Sequence, residues 1–117
     1  MSRVSLDRVL TALADPCRRR AVELLRERSR RSGELADALG LSAPAMSKHL
    51  RALKQSGLVE ESHPEFDARV RVYSLRSGAM DGLKAWLDET ERRWAAQLAS
   101  FKARVEENGE GKRRGGA

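Results

Sequence analysis

A mainly α-helical domain of about five helices with one small β-hairpin is the fold class this sequence predicts, on three observations. Apolar residues recur at intervals of three and four over most of the chain, the period of one helix face. The period changes to two only in Leu58-Val59-Glu60-Glu61 and Arg69-Val70-Arg71-Val72-Tyr73-Ser74-Leu75, around the turn-forming segment His63-Pro64-Glu65-Phe66-Asp67-Ala68. Helix-stopping and helix-starting residues (Asp15-Pro16, Gly40, Ser42, Gly57 and Ser77) punctuate the pattern at short spacings.

Leu6, Val9, Leu10 and Leu13 line the first helix. It closes at Asp15-Pro16, because a proline disfavours helical backbone in the residue before it. Pro16 suits the first turn of the second helix, capped by Asp15, with Cys17, Ala21, Leu24 and Leu25 as its apolar stripe. Its arginines 18 to 20 fit a solvated face, with at most one of them on a phosphate. Ser32-Gly33-Glu34 opens a third short helix bearing Leu35, Ala36 and Leu39, and Gly40 supplies the left-handed residue that ends it. Ser42 caps a fourth helix with Pro44 in its first turn, where a missing amide proton costs nothing. Met46, Leu50 and Leu53 form its buried stripe, and Gly57 stops it.

The hairpin follows. Its alternation sets Val70 and Val72 on one face and Arg69 and Arg71 on the other, towards solvent or a ligand. Ser77 then caps a last helix from about residue 78 to about 107, whose Leu83, Leu87, Thr90, Trp94, Leu98, Phe101 and Val105 repeat at three-and-four spacing. At about 1.5 Å per residue it spans roughly 40 Å, more than a small core can cover. Part of its apolar face, with Trp86 and Trp94 on it, therefore belongs to a core or to a subunit interface. Residues 1–107 form the domain, and 108–117, with no large apolar residue, read as a disordered basic tail.

The 117 residues amount to a single domain. A net charge of +6 and a pI near 10.2 favour anionic partners, nucleic acid first. Cys17 is the sole cysteine, so no intrachain disulfide can form. No stretch is apolar enough to span a bilayer, and the polar start Met1-Ser2-Arg3 leads into no signal-peptide core. A soluble cytoplasmic protein without membrane association is expected. No nucleophile, base and orienting group converge in the sequence and no Gly-rich phosphate loop precedes a helix, so no catalytic residue is assigned and an enzyme is not expected.

Helix, sharp turn, helix and basic hairpin in this order make a winged helix-turn-helix, whose geometry suits double-stranded DNA. The major groove, roughly 12 Å wide, admits one helix while the preceding helix braces it. The fourth helix is the reader. With its apolar stripe turned inward, Ser42, Ala43, Pro44, Ala45, Ser47, Lys48, His49 and Arg51 are left for DNA, and their small size near the N-terminus permits close approach. Arg69 and Arg71 would reach an adjacent phosphate or the minor groove. His63 is assigned to turn surface.

The strings Leu13-Ala14-Asp15-Pro16-Cys17-Arg18-Arg19-Arg20, Gly33-Glu34-Leu35-Ala36-Asp37-Ala38-Leu39-Gly40-Leu41-Ser42 and Ser47-Lys48-His49-Leu50-Arg51-Ala52-Leu53-Lys54-Gln55-Ser56-Gly57-Leu58-Val59 resemble the ArsR-type winged-helix repressors, over nearly the whole chain. The resemblance implies a homodimer on operator DNA, with the first and last helices as the subunit contact. Leu6, Val9, Leu10, Leu83, Leu87, Trp94, Leu98 and Phe101 are the interface residues it implies. Two reader helices about one DNA turn apart, roughly 34 Å, then call for a palindromic operator. Where the family's reader helix often carries glutamine this chain has Ala43. That favours the alternative of a protein-interaction adaptor without sequence-specific DNA binding.

The arsenic and cadmium sensors of the family hold their metal through cysteines on the third helix, where this chain reads Leu35-Ala36-Asp37-Ala38-Leu39. The zinc and nickel sensors use Asp and His on the last helix, and here no histidine follows Leu75. Cys17, His49 and His63 lack ligand spacing, so the expectation is a member with no metal site and no cofactor. The inducing signal stays open among a possible small-molecule effector near the dimer seam, a thiol change at Cys17, and autorepression without a ligand.

Overall fold

The computed structural model describes residues 5–67 and 69–115, with side chains described as far as Gly109. Residues 1–4, Ala68 of the wing turn and the last two residues of the tail lie outside the described residues. The chain divides into two units, one reaching to Leu83 and one beginning at Lys84. The first contains α1 (Leu6–Leu13), α2 (Pro16–Glu27), β1 (Arg30–Arg31), α3 (Ser32–Leu39), α4 (Ala43–Gln55), β2 (Val59–Ser62), β3 (Val72–Leu75) and the opening residues of α5 (Asp81–Gly115).

The helix boundaries are set by local chemistry. The Asp15 carboxylate accepts from the backbone N–H groups of Cys17 at 2.8 Å and Arg18 at 3.2 Å, satisfying two donors that the first turn of α2 leaves free. Gly40 adopts φ 66°, and the Leu41 N–H returns to the Ala36 carbonyl at 2.9 Å, which ends α3 in one residue. The Ser42 hydroxyl accepts from the Ala45 N–H at 3.2 Å and starts α4. At the far end of α4 the buried Ser56 hydroxyl donates to the Leu53 carbonyl at 2.7 Å, and Gly57 turns the chain with φ 83°. A methyl group on Gly40 would meet no atom within 4 Å, so Gly40→Ala isolates the backbone strain. Its expected effect is a loss of about 1–2 kcal/mol, read from the urea midpoint of unfolding.

The core of this unit joins Val9 and Ala12 of α1, Ala21, Val22 and Leu25 of α2, Leu35 and Ala36 of α3, and Met46, Leu50 and Leu53 of α4, closed by Leu58, Val59, Tyr73 and Ala79. The expected stripe of α4 is thus the buried one. Of the residues expected at a subunit contact, Val9 is only 2 % exposed within this core, and Leu83 packs half-buried against it. Leu6 is half-buried and Leu10 is 40 % exposed.

The hairpin is present but has a third strand. The antiparallel sheet has the order β1-β3-β2, with Arg30 opposite Tyr73 and Arg31 opposite Val72. The Arg30-Arg31 pair carries no apolar alternation, and only pairing with β3 makes it a strand. The wing faces also differ from expectation. β3 begins at Val72, Tyr73 is its buried residue at 6 % exposure, and Arg69 to Arg71 precede the strand. Register decides this: Val59 and Glu61 lie opposite Leu75 and Tyr73 and share their face.

The second unit is the remainder of α5. The helix runs to Gly115, past Asn108, where the sequence predicts the start of a disordered tail. Glu89 pairs with Arg92 at 2.8 Å and Arg93 at 3.0 Å, the spacing at which helix side chains meet. Leu87, Trp94, Leu98, Phe101 and Val105 are 49–66 % exposed. Among the described residues no helix is long and apolar enough to cross a membrane.

Candidate nucleic-acid interface

The sharp turn at Gly40-Leu41 sets α4 after α3, and its buried stripe leaves the opposite side open. Ser42, Ala43, Pro44, Ser47, Lys48 and Arg51 are exposed, and Ala45 is half-buried. Among the described residues no ion pair engages Lys48 or Arg51, so both cations are available to an external anion. Small side chains at the N-terminal end leave the helix backbone open to close approach, at the positive end of the helix dipole.

His49 is placed differently from its neighbours. It is half-buried, and its Nδ1 accepts from Arg18 Nε at 3.2 Å, which turns the ring towards the start of α2. There Asp15, Cys17 and His49 each offer a ligating atom, all within 4.8 Å of one another. No spacing in the sequence marks this group, because its members come from two helices and meet only when α2 and α4 pack.

The arginines of α2 and β1 are less idle than a solvated face. Arg19 donates to the carbonyls of Leu13 at 2.7 Å and Ala14 at 3.1 Å, closing the end of α1. Arg30 donates to the Leu24 carbonyl at 3.1 Å and pairs with Glu27 at 2.7 Å.

On the wing, Arg69 is nearly fully exposed, with Nε 3.4 Å from Asp67 Oδ1, and Arg71 sets Nε 3.4 Å from Glu61 Oε1. Glu61 is the node of the wing base. Lys54 of α4 approaches it at 3.1 Å and His63 Nε2 at 3.8 Å, while His63 Nδ1 lies 3.0 Å from the Val70 carbonyl. Phe66 stands 84 % exposed in the wing turn. The sequence places it within a turn, and an apolar ring among Pro64, Glu65 and Asp67 is a signal that it is not there for the core.

The hydrogen bond from Lys54 is the main influence on the Glu61 carboxyl and outweighs its burial; with the charges of Lys54 and Arg71 it holds the group below the ordinary glutamate value of 4.5. A carboxyl depressed in the folded state stabilises the protein above its unfolded value and loses that contribution as pH falls through the folded value. Wild type is therefore expected to exceed Glu61→Gln in thermal midpoint at neutral pH, with the gap closing in acid. A gap independent of pH would mean that the carboxylate charge is not what anchors the wing.

Comparison with known proteins agrees with this geometry. Residues 15–61, from the cap of α2 into β2, match the family model described as bacterial regulatory protein, arsR family. The chain is 36 % identical over 106 residues to the HTH-type transcriptional regulator Rv2034 of Mycobacterium tuberculosis, covering 91 % of this chain and 94 % of that one. It is 27 % identical over 82 residues to the transcriptional repressor SdpR of Bacillus subtilis, covering 70 % and 88 %. Among solved structures, an ArsR-like transcriptional regulator from Rhodococcus sp. RHA1 superposes with a TM-score of 0.70 at 29 % identity, over 83 % of this chain and 89 % of that one.

Proposed function

Because the chain belongs to the arsR family of bacterial regulatory proteins, and is thus a DNA-binding transcriptional regulator and not an enzyme, we propose that it works in the cytoplasm as a homodimeric repressor of a palindromic operator. The observation that carries this reading is the open polar side of α4, from Ser42 to Arg51, over a stripe buried to within 1 %. In it, α4 enters the major groove, Lys48 and Arg51 hold phosphates, and Ser42, Ala43, Pro44, Ala45 and Ser47 lie nearest the base edges. Arg69 and Arg71 flank the site from the wing, where Phe66 meets the sugar wall of the minor groove. His49 orients through Arg18 and does not itself read DNA. Family membership replaces the adaptor reading.

The homodimer rests on α5. Leu87, Trp94 and Phe101 fall seven residues apart, as do Leu98 and Val105, which is the recurrence of an interhelical seam. An apolar stripe this long on a lone chain exceeds what a monomer ordinarily exposes, and the same stripe on a second copy is its self-complementary occupant. Leu10 and Leu6 of α1 offer a further patch. Repression follows the name of the Bacillus relative.

Selection of bound duplexes from a random pool tests the whole reading. Enrichment of a palindrome with half-sites about one turn apart, roughly 34 Å, is expected. Enrichment of a single half-site, or of nothing at low salt, would overturn it. Lys48→Ala and Arg51→Ala are each expected to weaken binding on all sequences and to flatten the salt slope by about one unit, while changes at Ser42, Ala43 or Ser47 alter preference among sequences. Titrations on matched and mismatched duplexes at several salt concentrations separate the two groups, and equal behaviour would remove these role assignments.

A further inference from the structure

We propose that Asp15, Cys17 and His49 form a binding site for a borderline-soft divalent cation, with zinc as the type, at the junction of α2 and the reader helix. The sequence, read without the fold, led to the opposite expectation.

Three observations point there. The donors are a thiol, an imidazole and a carboxylate, and their ligating atoms already lie within 4.8 Å of one another. In a tetrahedral zinc site with bonds of about 2.0–2.3 Å, such atoms stand roughly 3.5 Å apart. The ligating atoms thus stand within about 1.3 Å of the separations such a site needs. Thiolate and imidazole together select zinc-like ions over magnesium or calcium, and the thiolate and carboxylate neutralise a dication. All three residues are half-buried, so the site is partly shielded yet open to an entering ion, and three protein ligands leave a fourth position for water.

The surrounding bonds fit this role. Asp15 uses Oδ1 for both cap hydrogen bonds, which leaves Oδ2 for an ion without uncapping α2. Arg18 Nε donates to His49 Nδ1 at 3.2 Å, and an entering cation has to displace this bond before the imidazole lone pair can ligate it. An entering ion exchanges the cysteine proton for a metal–sulfur bond, and the thiol proton goes to solvent. With His49 on α4 and the other two ligands at the start of α2, occupancy ties the reader helix to its neighbour through metal bonds.

The test uses the reduced, chelator-treated full chain titrated with Co(II), and does not depend on DNA binding. One equivalent per chain is expected, with a thiolate-to-cobalt charge-transfer band and the intense visible bands of a tetrahedral ion. Outer-shell losses alone weaken metal sites by about 10–100-fold, so Cys17→Ser and His49→Gln are expected to weaken binding at least tenfold, Cys17→Ser also abolishing the charge-transfer band. His63→Gln leaves the titration unchanged. Absence of the band in wild type, or equal affinity in the folded variants, would overturn the proposal. Should a variant not fold, the wild type decides alone: Zn(II) must slow the reaction of Cys17 with a thiol reagent, and an unchanged rate refutes the site.

Discussion

Replacing Trp94 and Phe101 together by glutamate is expected to convert the protein to monomers and to weaken operator binding by about 10²–10⁴-fold, the range lost when two linked binding events become independent. Each aromatic ring offers roughly 150–250 Å² for burial, at about 25 cal/mol per Å², and two-fold symmetry counts every loss twice. Charges placed there must be desolvated for the seam to form. Because Trp94 is 62 % and Phe101 66 % exposed in the single chain, helix content should not change. Sedimentation equilibrium read beside an operator titration checks both consequences. A variant that remains dimeric would remove α5 from the proposed subunit contact.

The second large effect belongs to the core. Leu53 is fully buried, one turn after Leu50 on α4. Leu53→Ala is expected to cost about 2–5 kcal/mol, a transfer loss plus the cavity left when neighbours relax only in part. For a unit of this size that lowers the thermal midpoint by roughly 10 °C or more. Exposed Arg51, two residues away, should change stability by no more than about 0.5 kcal/mol when truncated to alanine, although it is expected to matter for DNA. Calorimetry on the two variants makes the contrast. A small loss at Leu53 would mean that α4 is not held by its apolar stripe, and a reader helix not so held could not present its polar side in a fixed pose.

The open side of α4 was legible in the sequence because it is the complement of a stripe, and Met46, Leu50 and Leu53 keep helical spacing. The exception, His49, sits on the flank between stripe and open side, where periodicity assigns no neighbour; Arg18 on another helix decides its direction. The wing arginines were legible as basic and exposed. Their partners Asp67 and Glu61 were not, since Glu61 is ten residues from Arg71 and comes near it only through the pairing of β2 with β3.

The sequence by itself determined what is settled within a few residues. Asp15-Pro16, Gly40, Ser42 and Gly57 set helix ends through hydrogen bonds and backbone angles that need no distant partner, and helical spacing then named the core of α4. Tertiary structure alone decided what depends on residues far apart in the chain. It made Arg30-Arg31 a strand, turned Tyr73 inward, buried Val9 in the core with Leu83 packed against it, and brought Asp15, Cys17 and His49 together. Each of these is a choice between faces of equal local quality, and only packing against a second element makes one of the two lower in free energy.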